Sequence, residues 1–480
     1  MRRTSFLLTL LLAAVPFCAS HPGQAQDPAA PPNGADPAIK QMVGRIDPDN
    51  LKRTIQTLVS FGTRSTLSTQ DDPHRGIGAA RDWIYDQFAQ ISNSSGGRLK
   101  VEKQTFLQPV TTTVPQPTQI TNIIATLPGD LPPDQTRYLV VSGHYDSRNG
   151  DGKDGTRDAP GADDDGSAVA SVLEIARVMV PLHFHATLVF ECVAGEEEGL
   201  LGSKYAAGQD KANGWHIEGV LNNDIIGSST GANGIHDSRS VRVFCEGVPP
   251  NPTPAQSSLI ATTGGENDTP PRELGRFIWQ AAKEYVPRMS VTLVYRRDRY
   301  LRGGDQSSFL DQGYPAVRFT EAHEDFHHQH QDVQIENGVQ YGDLPQFLDY
   351  KYMANVARVN AASLAVMALA PDTPQNDEIV MRGMTADTTL TWKLSPDPNL
   401  AGYMVVWRPT DEPQWTGSKY VGNVTSYGFS SPSKDDDVFG ICAVDRDGHV
   451  SPAAFPIPVR QEPNSAPAPM AQDNPPAQSK

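Results

Sequence analysis

Apolar residues follow two rhythms over the first three-quarters of the chain. Six short runs with little polar interruption, at residues 138–142, 186–193, 219–221, 241–245, 291–295 and 316–319, have the length of strands buried on both faces. Two more strand-like runs, 101–106 and 122–127, precede them. Helical spacing lies between and around these runs. A helical pattern begins near Leu51, residues 81–91 carry Trp83, Ile84, Phe88 and Ile91 on one face, and residues 167–180 carry Val169, Val172, Leu173 and Ala176. Further helices are predicted at 274–286 and 350–369. Strands alternating with helices predict an α/β fold, a mixed and mostly parallel sheet sandwiched by helices, over residues 40–370.

The rhythm changes after Ala370-Pro371-Asp372-Thr373-Pro374, which reads as a linker. Short strands are expected at 388–394, 402–407 and 438–444, with Tyr403, Val405 and Trp407 on one face, so residues 376–459 predict a small all-β sandwich resembling a fibronectin type III module. The linker implies that this unit stands apart, and a chain shortened after Ala370 is expected to stay soluble and active. Residues 26–39 and 460–480 are rich in Pro and Ala and poor in core-forming side chains, which predicts a disordered linker and tail. Arg2 and Arg3, an apolar run at 6–15 and small residues up to Ala25 read as a signal peptide of residues 1–25, so the mature protein is expected to be secreted or periplasmic, with no membrane span. Cleavage leaves Cys192, Cys245 and Cys442, enough for one bridge at most. A net charge of −16 without a basic stripe argues against a nucleic-acid partner.

Candidate chemistry sits where predicted strands end. His144 and Asp146 follow the strand at 138–142, with Asp146 placed to hold the second imidazole nitrogen. Asp163-Asp164-Asp165 precede a predicted helix. One carboxylate suffices to cap it, and three adjacent ones repel unless a cation, most economically a divalent ion, sits among them. Glu196-Glu197-Glu198 follow the strand at 186–193, where diverging neighbours can divide metal binding from proton transfer. Asn222-Asn223-Asp224 end another strand. The stretch from Thr320 to Asp332 holds four histidines and a literal His-Glu-x-x-His at His323, Glu324 and His327, but it lacks the apolar stripe of the buried helix that a zincin motif requires.

In order, these elements supply His, Asp, Glu, Asp and His, and the ordered set over about residues 40–370 resembles the co-catalytic zinc aminopeptidases, whose relatives include secreted bacterial leucine aminopeptidases, glutamate carboxypeptidases and glutaminyl cyclases. The resemblance implies two Zn2+ ions per chain. His144 and Asp224 would each bind one ion, Glu197 and His328 the other, and Asp163 would bridge both, with Glu196 as general base. His328 is chosen because relatives place an Asp four residues after this ligand, as Asp332 is here, with His330 as the alternative. It also implies a cis bond after the bridging Asp, at Asp163-Asp164. Relatives commonly carry His where this chain has Gln306, and Tyr300 and Arg302 lie just upstream.

The expected activity is an exported metal-dependent aminopeptidase acting on peptides or proteins with a free N-terminus. A carboxypeptidase of the same fold is the alternative, for which Arg296, Arg297, Arg299 and Arg302 could hold a substrate carboxylate. A glutaminyl cyclase and an inactive binding or adhesion protein using the β domain are further alternatives.

Overall fold

The computed structural model describes residues 29–32, 34–381 and 384–461. The signal peptide, Cys18 and nearly all of the 460–480 tail lie outside them. An eight-stranded sheet forms the centre, from β1 (Lys100–Gln108), β2 (Thr118–Leu127), β3 (Tyr138–His144), β4 (Thr187–Val193), β5 (Ile217–Asn223), β6 (Ser240–Cys245), β7 (Ser290–Val294) and β8 (Ala316–Glu321), in the order β1-β2-β4-β3-β5-β8-β6-β7. The four central strands β4, β3, β5 and β8 are mutually parallel. β2 and β6 flank them in antiparallel fashion.

Side chains alternate across the sheet, as a strand's two-residue period requires. Leu139, Val141, Leu188, Phe190, Leu221 and Phe319 join the large core cluster under the helices Pro48–Ser60, Gly166–Met179, Pro270–Tyr285 and Tyr350–Leu369. Val140, Val189, Val220 and Ala316 face the other way, against the layer holding Ala207 and Phe309. Burial on both faces explains why these strands read as unbroken apolar runs. Gly143 has a local cause as well, since a Cβ there would lie 2.4 Å from Ala168 Cβ of the covering helix.

The α/β unit starts earlier than expected, with a helix at Pro37–Gly44 capped by Asp36. Asp36 also accepts from His449 at 3.2 Å, and its backbone N–H donates to Tyr285, so the segment before residue 40 is packed in place. Among the described residues the β-rich unit has seven strands in sheets of four and three, around Trp392, Tyr403, Val405 and Ile441. Cys192, Cys245 and Cys442 are buried and form no disulfide among the described residues. Among the described residues no helix is long and apolar enough to cross a membrane.

The linker does not separate the two units. On the helix Pro270–Tyr285, Glu273 Oε1 accepts from Trp415 Nε1 and from the Ala453 backbone N–H, both at 3.1 Å, and Arg276 Nε donates to Pro413 O at 2.8 Å. Glu273 and Arg276 are buried, and Arg408 of the β unit pairs with Asp268. Removing the β unit takes away these partners and opens the helix face that they cover. A chain ending at Ala370 is therefore expected to be insoluble or to melt at least about 5–10 °C below the full chain by differential scanning fluorimetry. An equally stable truncated chain would show the interface to be incidental.

Candidate metal centre

The C-terminal ends of the parallel strands meet at one rim of the sheet, where open α/β folds place their sites. β3 ends at His144, which is 1% exposed. Its Nδ1 lies 3.2 Å from Asp146 O and 3.4 Å from Asp146 Oδ1, so Asp146 fixes the ring with Nε2 turned inward. The same Asp146 carboxylate accepts the backbone N–H groups of Glu196 and Glu197, at 3.3 and 3.1 Å, and the Thr66 hydroxyl. One buried carboxylate thus ties the end of β3 to the acidic turn after β4. Gly195, at φ 79°, makes that turn.

The three adjacent aspartates have three separate tasks. Asp165 caps the helix Gly166–Met179, accepting from Ala168 N, and also accepts the His144 backbone N–H at 3.1 Å. Asp164 points into the rim, with Oδ1 3.2 Å from His144 Nε2 and Oδ2 2.9 Å from His330 Nε2. Asp163 points the opposite way. Its Oδ1 accepts from Gly227 N at 2.7 Å and its carboxyl shares a hydrogen bond with Glu321, while burial pushes its pKa up to about 6. The non-proline cis bond is Asp164-Asp165. The expected register is therefore corrected by one residue, from Asp163 to Asp164, because Asp163 belongs to the packing under β8. Asp343 holds Asp164 in place by accepting the backbone N–H groups of Asp163 and Asp164, the latter at 2.7 Å.

A second correction concerns the final histidine. The ring of His328 stacks on Phe347, with centroids 3.5 Å apart, and it joins no cluster of potential ligands among the described residues. His330, at φ 53°, reaches both Asp164 and Glu197 Oε1, the latter at 3.0 Å. Asp332 misleads as a spacing marker because it turns away to Arg157, at 2.5 Å, and to Gly150 N. The His323-Glu324-x-x-His327 stretch is irregular, and Glu324 is paired with Arg242 and Arg299. Tyr300 is 78% exposed and its hydroxyl accepts from Arg296, which places it on the surface.

Two groups of donor atoms result, each within 4.8 Å: His144, Glu196 and Asp224, and Asp164, Glu197 and His330. Asp164 faces both. His144 Nε2 is buried and makes no hydrogen bond, and Glu197 Oε1 likewise has none of good geometry. Loss of hydration pushes Glu196 well above the usual carboxylate range, with His144 opposing and Glu197 adding to the rise. Burial and Asp146 also push Glu198 up to about 8. Asp224 is partnered by the buried Arg318, at 2.9 Å, which also meets Asp298 at 3.2 Å. Gln306 belongs to this support, its Nε2 donating to Asp298 Oδ2 at 2.8 Å and its Oε1 accepting from Asn222 at 3.3 Å. Imidazole and carboxylate donors converging with few cations among them fit two divalent ions held close together.

A model of peptidase family M28 matches residues 122–342, which include every residue of both groups. A protein of Pyricularia oryzae named a probable zinc metalloprotease is 47% identical over 430 residues, covering 88% of this chain and 85% of that protein. The chain belongs to peptidase family M28. A second relative of the same description, from Leptosphaeria maculans, is 44% identical over 420 residues, covering 88% of this chain and 97% of its own. The crystal structure of LapB from Legionella pneumophila shares the fold at a TM-score of 0.50 and 19% identity, covering 70% of this chain and 76% of that one. Asp343, just past the M28 match, and Arg318 within it were absent from the sequence expectations. An arginine inside the buried run Ala316-Val317-Arg318-Phe319 was a readable signal, since such a cation needs an internal partner. Asp343 gave none, lying 179 residues from the backbone it holds.

Proposed function

We propose that this chain is an exported zinc-dependent aminopeptidase that hydrolyses the N-terminal peptide bond of peptides. The observation that carries the reading is Asp164, a single carboxylate set between His144 and His330, with Glu196 beside it in the first donor group. His144 and Asp224 would hold one zinc and Glu197 and His330 the other, with Asp164 shared. When bound, the zinc pair would polarise the scissile carbonyl and acidify the attacking water. Glu196 does the proton work. Placed beside His144 and Asp224, it takes a proton from water as the oxygen adds to the carbonyl carbon, then passes it to the leaving nitrogen as the C–N bond breaks. Asp146 keeps His144 oriented and Arg318 keeps Asp224 oriented.

The amine preference rests on charge. Two zinc ions would offset the charge of Asp164, Glu196, Glu197 and Asp224, and a carboxylate oxygen left facing the mouth would accept from a substrate's amino group there and disfavour a carboxylate at the same spot. Family membership and the relatives' description as probable zinc metalloproteases support peptide hydrolysis with zinc. The β-rich unit, which keeps its likeness to a fibronectin type III module as part of this reading, would serve to stabilise the α/β unit. Cleavage of Leu-Ala-Ala and its N-acetyl form, followed by chromatography, tests the assignment. Acetylation is expected to lower kcat/KM at least about a hundredfold. Equal cleavage of both would remove the aminopeptidase reading.

A further inference from the structure

Arg64 lies on the turn after the helix Pro48–Ser60, before the stretch that the family model matches, and its side chain is wholly buried. A buried guanidinium ordinarily meets a carboxylate, because an unanswered charge is costly to desolvate. Here every hydrogen bond of the group among the described residues goes to a backbone carbonyl. Nε donates to Tyr145 O at 2.7 Å, Nη1 to Pro160 O at 2.5 Å and Leu58 O at 3.5 Å, and Nη2 to Gly161 O at 2.8 Å. Burial pulls its pKa down to about 10 against the charges of Asp343, Asp146, Asp165 and Asp164, so it stays a cation at neutral pH.

The carbonyls it holds belong to the two segments that carry the first imidazole of the metal centre and the shared carboxylate. Tyr145 stands between His144 and Asp146. Gly161 O also accepts the Gly166 backbone N–H at 3.1 Å, which closes the loop of residues 161–166 around the three aspartates. The backbone of Arg64 repeats the link. Its N–H donates to Ser147 Oγ at 3.1 Å, its carbonyl accepts the Ser147 N–H at 3.3 Å, and Ser147 Oγ donates in turn to Ala159 O at 2.7 Å. A planar group with its donors in a fixed fork sets a separation that a flexible ammonium would leave free.

We propose that Arg64 is a positioning residue of the metal centre, clamping the His144 segment to the aspartate loop so that His144 Nε2 and Asp164 Oδ1, 3.2 Å apart, can share one ion. Its charge has a second use, since a fixed cation offsets the crowded aspartates until metal arrives. The proposal rests on the reading of His144 and Asp164 as metal ligands.

Zinc affinity of the folded chain, measured by competition with a chelating dye, tests the clamp with a readout that fold stability alone does not move. Arg64→Met is expected to bind zinc about 10–100-fold more weakly than the unaltered chain. Arg64→Lys keeps the charge without the fork and is expected to lose at least about threefold. Phe88→Leu, in the core under the helix Gly76–Ser94, should lower the melting temperature and leave zinc affinity within about twofold. Unaltered affinity in Arg64→Met, full affinity in Arg64→Lys, or an equal loss in Phe88→Leu would each overturn the proposal. If Arg64→Met does not fold, the comparison of Arg64→Lys with Phe88→Leu decides by the same criteria. The ligand reading fails on a different result, unaltered zinc affinity in His144→Ala.

Discussion

Glu196→Gln should lower kcat by about 10²–10⁴ while zinc content, measured by elemental analysis, stays within about 20% of the unaltered enzyme. The amide keeps the size and a hydrogen-bonding oxygen but cannot carry the proton from water to the leaving nitrogen. Zinc content should hold because each donor group retains its imidazole and another carboxylate, namely His144 with Asp224 and His330 with Glu197, and Asp164 stays between them. KM should move little, since the lost interaction belongs to the transition state. A variant keeping half its activity would remove Glu196 from the proton path.

Asp164→Ala and Asp163→Asn should separate sharply. Asp164 is the carboxylate facing both imidazoles, so its removal should reduce bound zinc below one ion per chain and activity by more than about a thousandfold. Asp163→Asn disturbs the bonds to Gly227 and Glu321, which should cost about 1–2 kcal/mol of stability and leave both zinc ions in place. The same contrast is expected between His330→Ala and His328→Ala. Elemental analysis after dialysis decides both pairs, and zinc retention by Asp164→Ala with loss from Asp163→Asn would restore the register expected from sequence.

The sheet was legible because its central strands are covered on both faces. Such strands print themselves as apolar runs, and polar residues within three positions after each central run mark the rim. What sequence could not resolve was the choice among like residues. Three consecutive aspartates look alike on paper, and only the backbone decides that Asp165 caps the helix, Asp164 faces the rim and Asp163 packs under β8. The final histidine lay in an irregular segment with no period to fix its phase. Its apparent marker, Asp332, answers to Arg157, 175 residues away. The union of the two units escaped for the same reason, since Glu273 and Trp415 are 142 positions apart and the Pro-rich linker between them suggests separation.

Asp164, Glu196, Glu197 and Asp224 are neighbours only while β3, β4, β5 and β8 lie side by side, so a metal bound there binds the folded chain and not the unfolded one. Free metal at a thousandfold excess over its Kd would add about 4 kcal/mol to stability, a large share of what holds a typical domain together. Free metal around the chain then governs lifetime as well as activity: where chelators scavenge it, the idle protein unfolds and is degraded, and where it is plentiful the protein persists.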